Sequence, residues 1–97
     1  MDEITVDGTP VFSAAPPPSV FAGSNDDNVY ALDITDGSEL WSFTAGSSVS
    51  SGIAVDDSAV YAGSDDDNVY ALDITDGSEL WSFTTVSAVR TGIGLTL

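Results

Sequence analysis

Shifted on itself by forty positions, the chain superposes Val20 to Thr44 on Val60 to Thr84 with two mismatches, Phe21/Tyr61 and Asn25/Asp65. This near-identity limits the fold more than any other feature. The two stretches must build the same unit, and a period of this length indicates a repeat architecture whose type is decided by its secondary structure. A chain of 97 residues holds one small core, so each unit must bury part of its apolar surface on a neighbour.

The units read as β. Runs such as "AVYAG", "NVYALDI" and "ELWSFT" are short and rich in β-branched and aromatic residues. They are separated by "SDDDN" and "TDGS", which carry turn chemistry. The second unit is expected to contain four strands, over about residues 49–55, 59–63, 69–74 and 79–84, joined by connections short enough for an antiparallel meander. In its third strand Tyr70, Leu72 and Ile74 fall on one side and Val69 and Ala71 on the other, so both faces are apolar. A two-layer sandwich leaves one face polar, whereas a four-stranded sheet held between neighbours in a radial array has both covered.

Composition removes several kinds of function. Cysteine and histidine are absent, which rules out disulfides, thiolate metal sites, histidine ligands and histidine-assisted nucleophilic catalysis. Sixteen acidic residues face one basic residue, Arg90, for a net charge of −15. That surface repels phosphate backbones and anionic lipid, so nucleic acid and membrane surfaces are not expected partners. With 42% apolar residues in ordered β-rich runs, the acidity points to a folded protein from a salt-loving organism, where molar salt shortens the screening length to about 3 Å. The N-terminal "MDEITVDGTPVFSAAPPP" lacks the basic region and apolar core of a signal peptide, and no run is long enough to span a bilayer. The expected location is the cytoplasm if the chain is complete, or the cell surface if it is a piece of a larger protein.

The stretches Ala31, Asp33, Gly37, Trp41 and Ala71, Asp73, Gly77, Trp81 resemble the tryptophan-docking motif A-x-D-x-x-T-G-x-x-x-W of the propeller repeats known from pyrroloquinoline quinone (PQQ) dehydrogenases. The similarity takes in "VYAGSDDDNVYALD" and covers about residues 19–97. Asp36 and Asp76 depart from the motif's Thr, and "SSGIAV" stands where the family often has Ser-Ser-Pro-Ala-Val. The resemblance implies an all-β propeller of four-stranded antiparallel blades, with Trp41 and Trp81 as girders between blades. A buried aromatic of this size covers about 150–250 Å².

Counted in the family's strand order, residues 1–18 form an N-terminal arm, 19–44 supply the second to fourth strands of a partial blade, 45–84 a complete blade, and 85–97 the first strand of a further one. Pro16, Pro17 and Pro18 disfavour a ladder strand ahead of Ser19, although "PVFSA" leaves room for a short one. About two blades per chain do not close a ring, since propellers typically have about 4 to 8. The spare strand around Ala88 to Leu95 is therefore expected to enter a second copy, giving a homo-oligomeric ring of about three or four chains, with four favoured by the family's usual eight blades.

The Asp/Asn-rich loops offer one metal candidate, a calcium site at Asp65, Asp66, Asp67 and Asn68. The competing reading is a solvated turn, because the loop has neither the glycine nor the distal Glu of an EF-hand. No catalytic residue and no bound cofactor are expected, PQQ included, since of the basic residue, acidic calcium ligands and cysteine pair that family enzymes commonly use this chain offers only acids and Arg90. Arg90 is expected to pair with an Asp. The resulting expectation is a non-enzymatic scaffold for self-assembly and protein interaction, with a calcium-binding module or a fragment of a larger surface protein as alternatives.

Overall fold

The computed structural model describes residues 4–6, 9–11 and 18–96. Within them are nine strands and no helix. Strands β1 (Ile4–Val6) and β2 (Thr9–Val11) form an antiparallel pair. The first blade contains β3 (Ser19–Gly23), β4 (Asn28–Asp33) and β5 (Glu39–Thr44). The second contains β6 (Ala54–Val55), β7 (Ala59–Gly63), β8 (Asn68–Asp73) and β9 (Glu79–Thr84), and both are antiparallel meanders in sequential order.

Three places need detail that the sequence reading does not give. Thr9–Val11 pairs with Ile4–Val6 and not with the first blade, whose edge strand is β3; the remainder of "PVFSA" lies outside the described residues. The first strand of the complete blade, expected over 49–55, is only Ala54–Val55, because the preceding residues direct their backbone bonds to turns. Val49 N–H donates to Ser24 O at 3.0 Å, and Ser48 O accepts from Asp65 N–H at 2.8 Å, so this linker is tied to a turn of each blade. Residues 85–96 form no strand, but they repeat the course of the linker: Val89 N–H donates to Ser64 O at 3.0 Å.

Each β-bulge falls at the same place in its blade. Register shifts between Ala31 and Leu32 and between Ala71 and Leu72, so that Ala31 opposes Trp41 and Ala71 opposes Trp81. Directly opposed residues share a face. One face of the first blade thus carries Phe21, Val29, Ala31, Trp41 and Phe43. It packs on the face of the second blade that carries Val60, Ala62, Tyr70 and Leu72, and with Ala45 and Val49 these two faces form the core, which lies between the sheets. The opposite face of the second blade, with Tyr61, Val69, Ala71, Trp81 and Phe83, has no blade against it among the described residues, and Phe83 is 64% exposed.

Candidate functional site: the joint between blades

The docking-motif residues build a turn that a neighbouring tryptophan can reach. After β8, Gly77 N–H donates to Asp73 O at 2.8 Å, Asp73 N–H to Ser78 O at 2.7 Å, and the Asp73 carboxylate accepts from Thr75 N–H at 2.8 Å. Asp33 closes the same turn in the first blade. Gly37 and Gly77 both occupy the left-handed region, at φ 75° and 77°, which glycine adopts without steric cost. Asp36 and Asp76, at the motif's Thr position, accept from Ser38 N–H and Ser78 N–H, both at 2.9 Å. They thereby cap their own turn.

Trp41 crosses from the first blade onto this turn of the second. Its indole N–H donates to Ile74 O at 3.0 Å, its ring lies over Gly77, and it is 9% exposed. Phe21 stacks behind it at a centroid distance of 5.9 Å, while Phe43 meets Tyr70 across the joint at 5.1 Å. Trp81 has the same intrablade partner, Tyr61 at 6.1 Å, yet is 51% exposed. Gly37, the counterpart of Gly77, has open space where Trp41 covers Gly77. Ala31 and Ala71 lie buried beneath the tryptophans they oppose.

The acidic loop also belongs to the joint. The Asp66 carboxylate accepts from Gly46 N–H of the linker at 2.9 Å, from Asn68 N–H at 3.0 Å and from the Tyr70 hydroxyl. Burial pushes its carboxyl up, but these hydrogen bonds outweigh that and hold it below the usual carboxylate range. Asp65 turns the other way, onto Arg90 at 3.0 Å and the Ser50 hydroxyl at 3.1 Å. Its carboxyl is lowered chiefly by the Arg90 guanidinium. Asp67 sits at φ 72° with its carbonyl accepting from Thr85 N–H and Thr85 Oγ1, and the Asn68 amide oxygen accepts from Thr84 Oγ1 at 2.7 Å. Asp66 and Asn68 share the Tyr70 hydroxyl while Asp65 turns away to Arg90, and the described residues contain no group of three or more acidic side chains placed to hold a metal.

The two mismatches between the repeats fall at positions that take polar side-chain partners in the second unit. Asp65 meets Arg90 and the Ser50 hydroxyl, and its counterpart in the first unit is the neutral Asn25. The Tyr61 hydroxyl donates to the Asp56 carboxylate at 2.8 Å; forty positions after Asp56 stands Thr96, and the counterpart of Tyr61 is Phe21, which has no hydroxyl.

The family model described as outer membrane protein assembly factor BamB, a PQQ-like propeller family, matches residues 6–93. The chain belongs to that family. Among solved structures similar to it, BamB from Moraxella catarrhalis shares the fold, at TM-score 0.64 and 22% identity over 69% of this chain and 20% of that one. Two computationally designed proteins are similar at 26% identity over 80% of this chain: Ika8, with TM-score 0.70 and 24% of its length covered, and Ika4, with 0.71 and 49%. The chain thus spans between a fifth and a half of the structures it matches, as expected of blades without a full ring. No curated protein sequence matches it.

Proposed function

We propose that this PQQ-like propeller chain is a non-enzymatic scaffold that completes its blades by self-assembly and presents its loops to other proteins. The observation carrying this reading is the contrast between two equivalent tryptophans: Trp41 is 9% exposed in a finished joint, and Trp81 is 51% exposed on an open one. Open sheet edges and apolar faces template association with further chains. The absence of histidine and cysteine from the sequence favours binding over catalysis. Outer membrane protein assembly is the role of the BamB factor for which the family is named; for this chain it supports a scaffold role and extends no further.

A ring of about three or four chains supplies six or eight blades, within the usual range. Sedimentation in molar salt across a wide concentration range tests the reading. A discrete oligomer is expected, and a chain that stays monomeric at every concentration would exclude self-assembly. A pull-down at the same salt then separates a pure assembly role from one that includes a protein partner.

A further inference from the structure

We infer that two copies of this chain join head to tail through a repetition of the internal joint, with Trp81 of one copy seated on the Gly37 turn of the next and residues 94–96 completing the next copy's first blade. This rests on the self-assembly reading and specifies its interface.

The open face of the second blade, with Tyr61, Trp81 and Phe83, repeats the face with Phe21, Trp41 and Phe43 that is buried in the joint. The open face of the first blade carries Val20, Ala22, Tyr30, Leu32 and Ile34, repeating Val60, Ala62, Tyr70, Leu72 and Ile74 on the receiving side. A second copy therefore offers the complement that the chain already uses. Trp81 N–H would donate to Ile34 O as Trp41 does to Ile74 O, and the space above Gly37 is open to receive the indole.

The donated strand follows from the same superposition. β6 pairs with β7 as Ala54↔Tyr61 and Val55↔Val60, so forty positions on, Gly94 would pair with Phe21 and Leu95 with Val20 of the next copy. Thr96 then stands where Asp56 receives the Tyr61 hydroxyl, and the receiving blade has Phe21, with no hydroxyl to place. Thr96 and Phe21 are thus compatible, with neither a carboxylate nor a phenolic hydroxyl left facing the other.

One position fits less well. Val86, 102% exposed, replaces Gly46, where an added Cβ would lie 2.9 Å from Asp66 Oδ2. In the joint between copies Val86 would press on Asp26, making that contact weaker than the internal one.

Because the chain has no cysteine, disulfide trapping reads the interface directly. Opposed Cα atoms in an antiparallel pair lie about 4.5–5.5 Å apart, within disulfide reach. The full-length double variant Val20→Cys/Leu95→Cys, oxidised in molar salt, should give a ladder of covalent multimers ending at the native particle mass, with each single variant uncrosslinked. Val86→Gly should lower the concentration needed for assembly several-fold. Efficient dimers from Val20→Cys alone would mean face-to-face symmetry and overturn the inference. An oligomer that persists without 20–95 crosslinks would overturn the interface and leave self-assembly standing. A parent chain that is monomeric throughout would defeat both, leaving the open faces to blades of a different polypeptide.

Discussion

The ring of Trp41 lies against Gly77 so closely that a Cβ at residue 77 would come within 2.7 Å of Trp41 Cδ2, while the equivalent Gly37 has nothing within 4 Å. Two glycines with almost the same φ thus differ only in whether a tryptophan covers them. In the unassembled chain, Gly37→Ala should cost about 1–2 kcal/mol for the left-handed backbone. Gly77→Ala should lose a further ~1–3 kcal/mol to overpacking. Chemical denaturation of both variants checks the difference, and equal losses would mean that Trp41 does not dock on the turn in solution.

The tryptophans themselves should separate in the same way. Trp41→Ala removes a buried ring and its bond to Ile74 O, for an expected loss of about 3–5 kcal/mol. From the sequence alone Trp81 would be assigned the same cost, but its exposure in the single chain moves the effect to assembly. Trp81→Ala should leave the melting temperature of dilute chain close to the parent's and abolish oligomers on sedimentation.

Much of the fold was legible because the repeat and its alternation are local. The strands Ala59–Gly63 and Glu79–Thr84 were placed to the residue, and Asn68–Asp73 within one. What could not be read depends on contacts through space. The backbone bonds of Val49 and Ser48 go to turns in different blades, so an apolar run resembling a strand becomes a linker. Asp66 reads as a solvated turn residue until the linker brings Gly46 N–H to it. The pairing of Ile4–Val6 with Thr9–Val11 has a local sign, the Asp7-Gly8 dipeptide between them.

Asp66 should behave as a joint residue. Asp66→Ala removes the acceptor of Gly46 N–H, Asn68 N–H and the Tyr70 hydroxyl, for a loss of about 1–3 kcal/mol as half-buried donors go unpaired. Asp67→Asn, which keeps the carbonyl bonds to Thr85, should change stability by less than about 0.5 kcal/mol. Thermal melts of the two variants check this, and a larger effect at Asp67 would move the functional weight of the loop.

Acid should weaken the fold in a defined direction. Asp26, Asp36, Asp56, Asp65, Asp66 and Asp76 are all held below the ordinary carboxyl range, Asp56 chiefly by Ser58 N–H and Asp65 by Arg90. A carboxylate whose folded pKa is depressed stabilises the fold fully above its unfolded value near ~3.9 and loses that contribution as pH falls through the folded value. In molar salt, where repulsion is screened, stability should be flat from about pH 7 to 5 and decline below about pH 4. A stability maximum at pH 3 in molar salt would contradict these hydrogen bonds.

Salt should act through the net charge of −15. Only Arg90 offsets the acidic residues, and it is committed to Asp65, so most of the repulsion is uncompensated. The screening length grows from about 3 Å at 1 M to about 30 Å at 0.01 M, and carboxylates on adjacent turns and linkers then repel across the joint. Association should be hit harder than folding, because each docking brings two such surfaces together. Dialysis from molar salt to tens of millimolar should first dissolve the oligomer and then lower the melting temperature of the chain. An oligomer and a melting temperature both unchanged across that range would show that the acidic surface is not an adaptation to salt.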